Sequence, residues 1–130
     1  MRTEAVQEED GLDTTIIEGL IAEIGPESMA RVLDAMAGDA ERLLAGLQQA
    51  LATGDAKAFS LYAHSLKSNS QTVGAVVVGA RFQELETAGM DDQLAGLSDK
   101  VRQATTAYRK LIDYVVTVPQ CDPDRRSSAG

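Results

Sequence analysis

At 130 residues, with 44% hydrophobic but only 4% aromatic side chains, the chain is long enough for one domain whose core must be built from Leu, Val, Ile, Met and Ala, which favours packed helices. Twelve Lys and Arg against 20 Asp and Glu give a formal net charge of −8, which disfavours DNA, RNA and anionic membranes as partners, because those interactions rest on basic patches. A single cysteine permits no internal disulfide, no stretch approaches the roughly 20 apolar residues of a membrane span, and the acidic Met1 end lacks the basic start and apolar run of a signal peptide, so a soluble cytoplasmic protein is expected.

The chain divides into a charged, anchor-poor segment over 1–12, expected to be disordered, a helical bundle over 13–118, and a polar, proline-containing tail over 119–130, again expected to be disordered. Asp13 can cap a short helix from about Thr14 to Ile24, with Ile16, Ile17, Leu20, Ile21 and Ile24 at helical spacing. Gly25-Pro26 then stops one helix and starts the next. The second helix should run from Pro26 to about Thr53 on a core stripe of Met29, Val32, Leu33, Met36, Ala40, Leu43, Leu44, Leu47 and Leu51, softened by Gly38 and Gly46. Gly54-Asp55 repeats the punctuation ahead of a third helix that ends near Gly74.

Val76-Val77-Val78 has strand propensity, but a lone strand would have no partner, and Phe82, Leu85 and Glu86 continue at helical spacing to about Ala88. Gly89, Met90, Asp91 and Asp92 are read as the next turn and helix start. The last helix carries Leu94, Leu97, Val101, Ala104, Tyr108, Leu111, Ile112 and Val115 and ends near Val118, before Pro119. Four long amphipathic helices joined by short turns predict an all-α, antiparallel up-and-down four-helix bundle, with the short first helix over one end, and a complete core within one chain argues for a monomer.

The only histidine, His64, lies on the third helix. A helical turn of about 100° per residue gathers Phe59, Tyr62, Leu66, Asn69, Ser70 and Val73 on the packed side, and Lys57, Ser60, Leu61, His64, Lys67, Ser68 and Gln71 on the other. His64 therefore faces water. Metal binding would need further nitrogen, sulfur or carboxylate ligands, and the chain offers no other histidine and only the distant Cys121. A hydrolytic base would need an orienting acid, and this face has none within a turn. It has instead a cation, Lys67, one turn away, suited to a product that gains about two negative charges on phosphorylation. Ser65 and Ser68 leave room for a second protein carrying a phosphoryl donor, and Leu61 offers that protein an exposed apolar contact.

The string His64-Ser65-Leu66-Lys67-Ser68, followed by Val73-Gly74-Ala75 and by Val78-Gly79-Ala80-Arg81-Phe82-Gln83-Glu84-Leu85-Glu86, resembles the histidine phosphotransfer (HPt) domains of bacterial multistep phosphorelays. The resemblance runs from about Ala30 to about Val115. It departs from the family at Ser68, where glycine is usual; serine is also small, so access of the phosphoryl group should be tuned rather than abolished. The resemblance implies that His64 takes a phosphoryl group from the aspartyl phosphate of a response-regulator receiver domain and passes it to another, with Lys67 stabilising the transferred charge and Leu61, Ser68, Gln71 and Lys57 at the docking surface. It also implies that Mg2+ belongs to the receiver, that this chain needs no cofactor, and that a hybrid sensor histidine kinase is a possible further partner. No Gly-rich nucleotide loop or kinase motif is present, so a phosphocarrier rather than an ATP-dependent enzyme is expected. The rival reading is a helical adaptor that binds a signalling partner without phosphotransfer.

Overall fold

The computed structural model describes residues 14–116, and every described element is a helix: α1 (Thr14–Ile24), α2 (Pro26–Thr53), α3 (Ala56–Thr72), α4 (Val76–Met90) and α5 (Ser98–Val115). The cap expected at Asp13, the predicted disordered ends over 1–12 and 119–130, and the predicted helix end near Val118 lie outside the described residues. Helices α2 to α5 form the antiparallel four-helix bundle: each packs on its sequence neighbour, and α5 closes the ring against α2. Helix α1 packs against α2 and adds Ile17 to the core; Leu20 and Ile21 are half-buried, whereas Ile16 and Ile24 are exposed.

Three helix ends share one device. A residue in the left-handed region lets the next N–H reach back to the carbonyl five residues earlier, satisfying an acceptor that the helix leaves open. At the end of α2 the residue is Gly54 (φ 73°), with Asp55 N donating to Ala50 O at 2.9 Å; at the end of α3 it is Gly74 (φ 78°), with Ala75 N donating to Ser70 O at 2.9 Å. After α4 it is Asp92 (φ 56°), with Gln93 N donating to Ala88 O at 2.8 Å. Asp55 then caps α3 as expected, its Oδ1 accepting from Ala58 N at 3.1 Å.

The third of these ends corrects the sequence reading. Gly89 is not a turn residue but a buried position inside α4, and the last helix starts at Ser98, so Leu94 and Leu97 are anchors of a seven-residue connection rather than of a helix. An aspartate carries the positive φ at the end of α4, and the glycine that precedes α5, Gly96 (φ 76°), sits inside the stretch whose apolar spacing suggested helix. Val32 is the other displaced residue: it lies off the α2 stripe and is exposed, while Ala30 and Ala50 join Met29, Leu33, Met36, Ala40, Leu43, Leu44 and Leu47 in the core.

The core centres on Phe82 and Tyr108, whose rings meet edge to face at 5.6 Å and 86°, with Phe59, Leu66, Val73, Val78, Leu85, Val101, Leu111 and Val115 around them. Asn69 donates from Nδ2 to the Tyr108 hydroxyl at 3.3 Å, so the polar residue on the packed side of α3 has its partner across the bundle. Burial pushes the Tyr108 phenol above its ordinary value, against the hydrogen bond from Asn69.

Two glycines set how closely helices approach α3. The Tyr62 ring occupies the space a side chain on Gly46 would need, which gives that mid-helix glycine a packing reason. On the other side, a Cβ at Gly89 would stand 2.8 Å from Ser60 Cβ, 2.9 Å from Ser60 N and 3.0 Å from Ala56 O, so the backbones of α3 and α4 touch there. Gly89→Ala should lower unfolding stability by about 1–3 kcal/mol as the helices are forced apart. Gly38, with open space around it, is the matched control: Gly38→Ala should raise stability by about 0.5–1 kcal/mol. Urea denaturation of both variants checks the pair, and equal effects would mean that the α3–α4 approach is not tight.

Candidate functional site

The site is the outer edge of the α3–α4 seam. These helices run antiparallel about the tight Gly74 connection, and His64 stands about as far before that glycine as Glu86 stands after it. Gln71 packs its Cγ over Gly79, 3.2 Å from where a Cβ would be, Ser60 packs on Gly89, and between these two close approaches the polar side chains of α3 and α4 meet in register. Helical period puts Gln83, Glu86 and Thr87 of α4 on one face toward α3.

His64 has 56% of its side chain exposed, and its Nδ1 lies 3.0 Å from Glu86 Oε2. A carboxylate only accepts, so Nδ1 carries the proton and donates it. In the neutral ring the lone pair is then on Nε2, and which nitrogen is free is fixed by the partner of the other. Lys67 Nζ sits 2.8 Å from the second carboxylate oxygen, Glu86 Oε1, and donates to Gln83 Oε1 at 3.0 Å; Gln83 Nε2 in turn donates to Thr87 Oγ1 at 3.2 Å. The Lys67 and Glu86 side chains are only 15% and 14% exposed, so this pair is shielded, while the imidazole above it is open.

Burial works to raise the Glu86 carboxyl, but the hydrogen bonds from Lys67 and His64 and the charges of those partners outweigh it and hold the group below its ordinary value. An anionic Glu86 bridging a cation and an N–H donor is a device for orienting a ring. The carboxylate answers the expectation of no acid on this face: none lies within a turn on α3, and the one that matters comes from α4. Its sequence signal was the polar Gln83, Glu86 and Thr87 face folded back about Gly74, which only the hairpin register turns into a contact.

The predicted residues fall as follows. Leu61, one turn before His64, is 61% exposed. Ser68 is half-buried, one turn after the histidine, its carbonyl accepting from Thr72 Oγ1 at 2.9 Å. Gln71 is exposed, one turn further on, and Lys57 is exposed two turns before His64. Lys67 differs most from expectation, since it is held against Glu86 and Gln83 instead of standing free beside the imidazole. Among the described residues no cluster of His, Cys, Asp and Glu is arranged to hold a metal ion, and no helix is long and apolar enough to cross a membrane.

Residues 31–116, most of the chain, match the Hpt domain. The chain belongs to the Hpt domain family. The crystal structure of histidine-containing phosphotransfer protein B (HptB) from Pseudomonas aeruginosa PAO1 is similar to this Hpt domain, with a TM-score of 0.72 and 27% sequence identity, covering 88% of this chain and 95% of that one. No curated protein matches the chain. Fold and family together make this Hpt chain a histidine phosphotransfer protein of phosphorelay signalling.

Two measurements test the Glu86 contacts. Nitrogen-15 NMR of the neutral His64 ring should show the Nδ1–H tautomer in the wild type and lose that preference in Glu86→Ala; an Nε2–H ring in the wild type would contradict the contact. Because the folded-state pKa of Glu86 lies below its unfolded value, its stabilising contribution is complete above about pH 4.5 and is lost as pH falls through the lowered folded value. Glu86→Gln should therefore be less stable than wild type near neutral pH, by about 1–3 kcal/mol, the worth of hydrogen bonds to a charged group. The difference should shrink as pH falls below about 4.5 and disappear once Glu86 is protonated in the folded protein as well, and denaturation at stepped pH checks it.

Proposed function

We propose that His64 is the phosphoryl acceptor, taking the group from an aspartyl phosphate on a receiver domain and yielding it to a second receiver. The observation that carries this is the contact of Glu86 with Nδ1, which leaves Nε2 as the nucleophilic nitrogen on the open side of the ring. In the forward step the Nε2 lone pair forms a bond to phosphorus and the bond from phosphorus to the aspartyl oxygen breaks, its electron pair leaving as carboxylate. The ring becomes a phosphorylated imidazolium with its proton still on Nδ1, facing the anionic Glu86. No base has to remove a proton before attack, because the attacking nitrogen carries none.

Lys67 answers the second charge. The transferred group brings about two negative charges within a helical turn of its Nζ, so phosphoryl oxygens compete with Glu86 and Gln83 for the ammonium. Leu61 supplies the apolar contact beside the nucleophile, with Ser68 and Gln71 continuing the docking face and Lys57 at its edge. The partners are receiver domains and, upstream, a hybrid sensor kinase. Mg2+ acts on the receiver, the chain uses no cofactor of its own, and it works as a cytoplasmic, monomeric carrier without ATP-dependent kinase activity. The exposed imidazole held by a shielded ion pair favours this reading over a binding-only adaptor, which has no use for a fixed tautomer.

Incubation with phosphorylated receiver domains should label the protein with an acid-labile, alkali-stable phosphoryl group, and His64→Gln should abolish the label; equal labelling of that variant sinks the assignment. Glu86→Ala should slow transfer by about 10- to 100-fold, the kinetic equivalent of losing a charge-assisted hydrogen bond. Glu86→Gln, which can still accept from Nδ1, should fall between that variant and wild type.

A further inference from the structure

Lys67 is held by two groups that differ in direction and in charge. Its Nζ lies 2.8 Å from Glu86 Oε1, a close ion contact, yet that oxygen is shielded from solvent and meets no well-directed hydrogen bond. The directed bond is the one from Nζ to Gln83 Oε1, at 3.0 Å. An ammonium swings on its flexible four-carbon stem, and what fixes its direction is an acceptor in line with an N–H. Glu86 therefore holds the cation close, and Gln83 aims it.

The Gln83 amide is itself fixed. Its two ends are alike in shape, but only the oxygen accepts. Nε2 donates to Thr87 Oγ1 at 3.2 Å, one turn along α4, and that bond keeps the oxygen turned toward Lys67. Rotated by half a turn, the amide would set N–H groups against an ammonium.

Charge distinguishes glutamine from the nearest alternative. A glutamate at this position would accept the same hydrogen bond, but with Glu86 it would place two carboxylates on one ammonium, beside a site that gains about two negative charges on phosphorylation. A neutral acceptor of the same reach directs the cation without answering its charge a second time. We propose that Gln83 is a positioning residue for phosphotransfer, holding Lys67 in place for a phosphoryl group on His64 with no second carboxylate competing for its charge. That role rests on His64 being the acceptor and on Lys67 answering the phosphoryl charge. Gln83 exchanges no proton and forms no bond to phosphorus, and Thr87 acts one step further out, through the amide.

The test is single-turnover transfer from a phosphorylated receiver domain to the full chain at increasing concentrations of the chain, so that maximal rate and half-saturating concentration are read separately. Gln83 is exposed and outside the core, so its variants keep the fold. Gln83→Met, near in size and without the amide, should lower the maximal rate by about 3- to 10-fold, the kinetic equivalent of one ordinary hydrogen bond, with the half-saturating concentration within about twofold of wild type. Gln83→Glu should lower the rate at least as far although it keeps an acceptor, and Thr87→Val should lower it less than Gln83→Met does. In a Lys67→Met background Gln83→Met should change nothing further, because a group that acts through the ammonium has no effect once the ammonium is gone. A wild-type rate in Gln83→Met, a loss confined to the half-saturating concentration, a Gln83→Glu variant as fast as wild type, or a full additional loss on top of Lys67→Met would each overturn the proposal. Labelling of His64→Gln alongside keeps these outcomes apart from failure of the acceptor assignment, in which that variant takes up as much label as wild type.

Discussion

The close approach of α4 to α3 is the constraint on which the site rests. Gly89 lets the two backbones touch near Ser60, and Gly79 lies beneath Gln71 further along the seam. Between those points the separation is short enough for Glu86, a side chain of two methylene groups, to bridge both His64 and Lys67. Were the helices at the wider spacing that two large apolar side chains impose, the carboxylate would reach solvent rather than Nδ1. Small residues at two positions on α4 are therefore as much a part of the chemistry as the imidazole, although neither touches it.

The charges are arranged in depth. The Lys67–Glu86 pair is largely shielded, where breaking an ion pair leaves an expensive unpaired charge, while the imidazole sits at the mouth, more than half exposed. The inner pair thus fixes geometry, and the outer group is available for reaction. The same carboxylate has one oxygen for each partner, so neither His64 nor Lys67 can be repositioned without loosening the other. If His64 is the acceptor, as proposed, this coupling gives the transferred phosphoryl group a second route of influence: by drawing Lys67 outward it would weaken the grip on Glu86 and, through it, on the ring.

Much of this was legible in the chain, for a specific reason: the helices are long, their apolar residues recur every three or four positions, and Gly54 and Gly74 mark two of the three left-handed helix ends. The bounds of α1 and α2, the Asp55 cap, the helical character of the three valines at 76–78 and the outward face of His64 all follow from period and punctuation. What escaped was whatever depends on contact between helices. Asp92 took the positive φ at the end of α4, and apolar spacing across Gly96 concealed the start of α5; Gly46 and Gly89 looked like a weak spot and a turn because their reasons, Tyr62 and Ser60, lie on another helix. Glu86 was visible as a residue but not as a partner, since periodicity orients a side chain and says nothing of the register across a seam.

Helix α4 also explains how one short element can serve two surfaces. Its buried residues, Val78, Phe82 and Leu85, separate a face of Gln83, Glu86 and Thr87 turned to α3 from a flank on which Arg81 meets α5. The acid goes to the side where a cation and an imidazole need an acceptor, and the guanidinium to the side where Arg102 and Lys110 stand. On the α3 side the Lys67 cation helps hold Glu86 in the anionic form that orients the imidazole. Exchange of the two polar sides of α4 would keep the core and the bundle intact and remove the histidine's orienting partner, so the chemistry here is decided by which polar flank of a helix faces which neighbour.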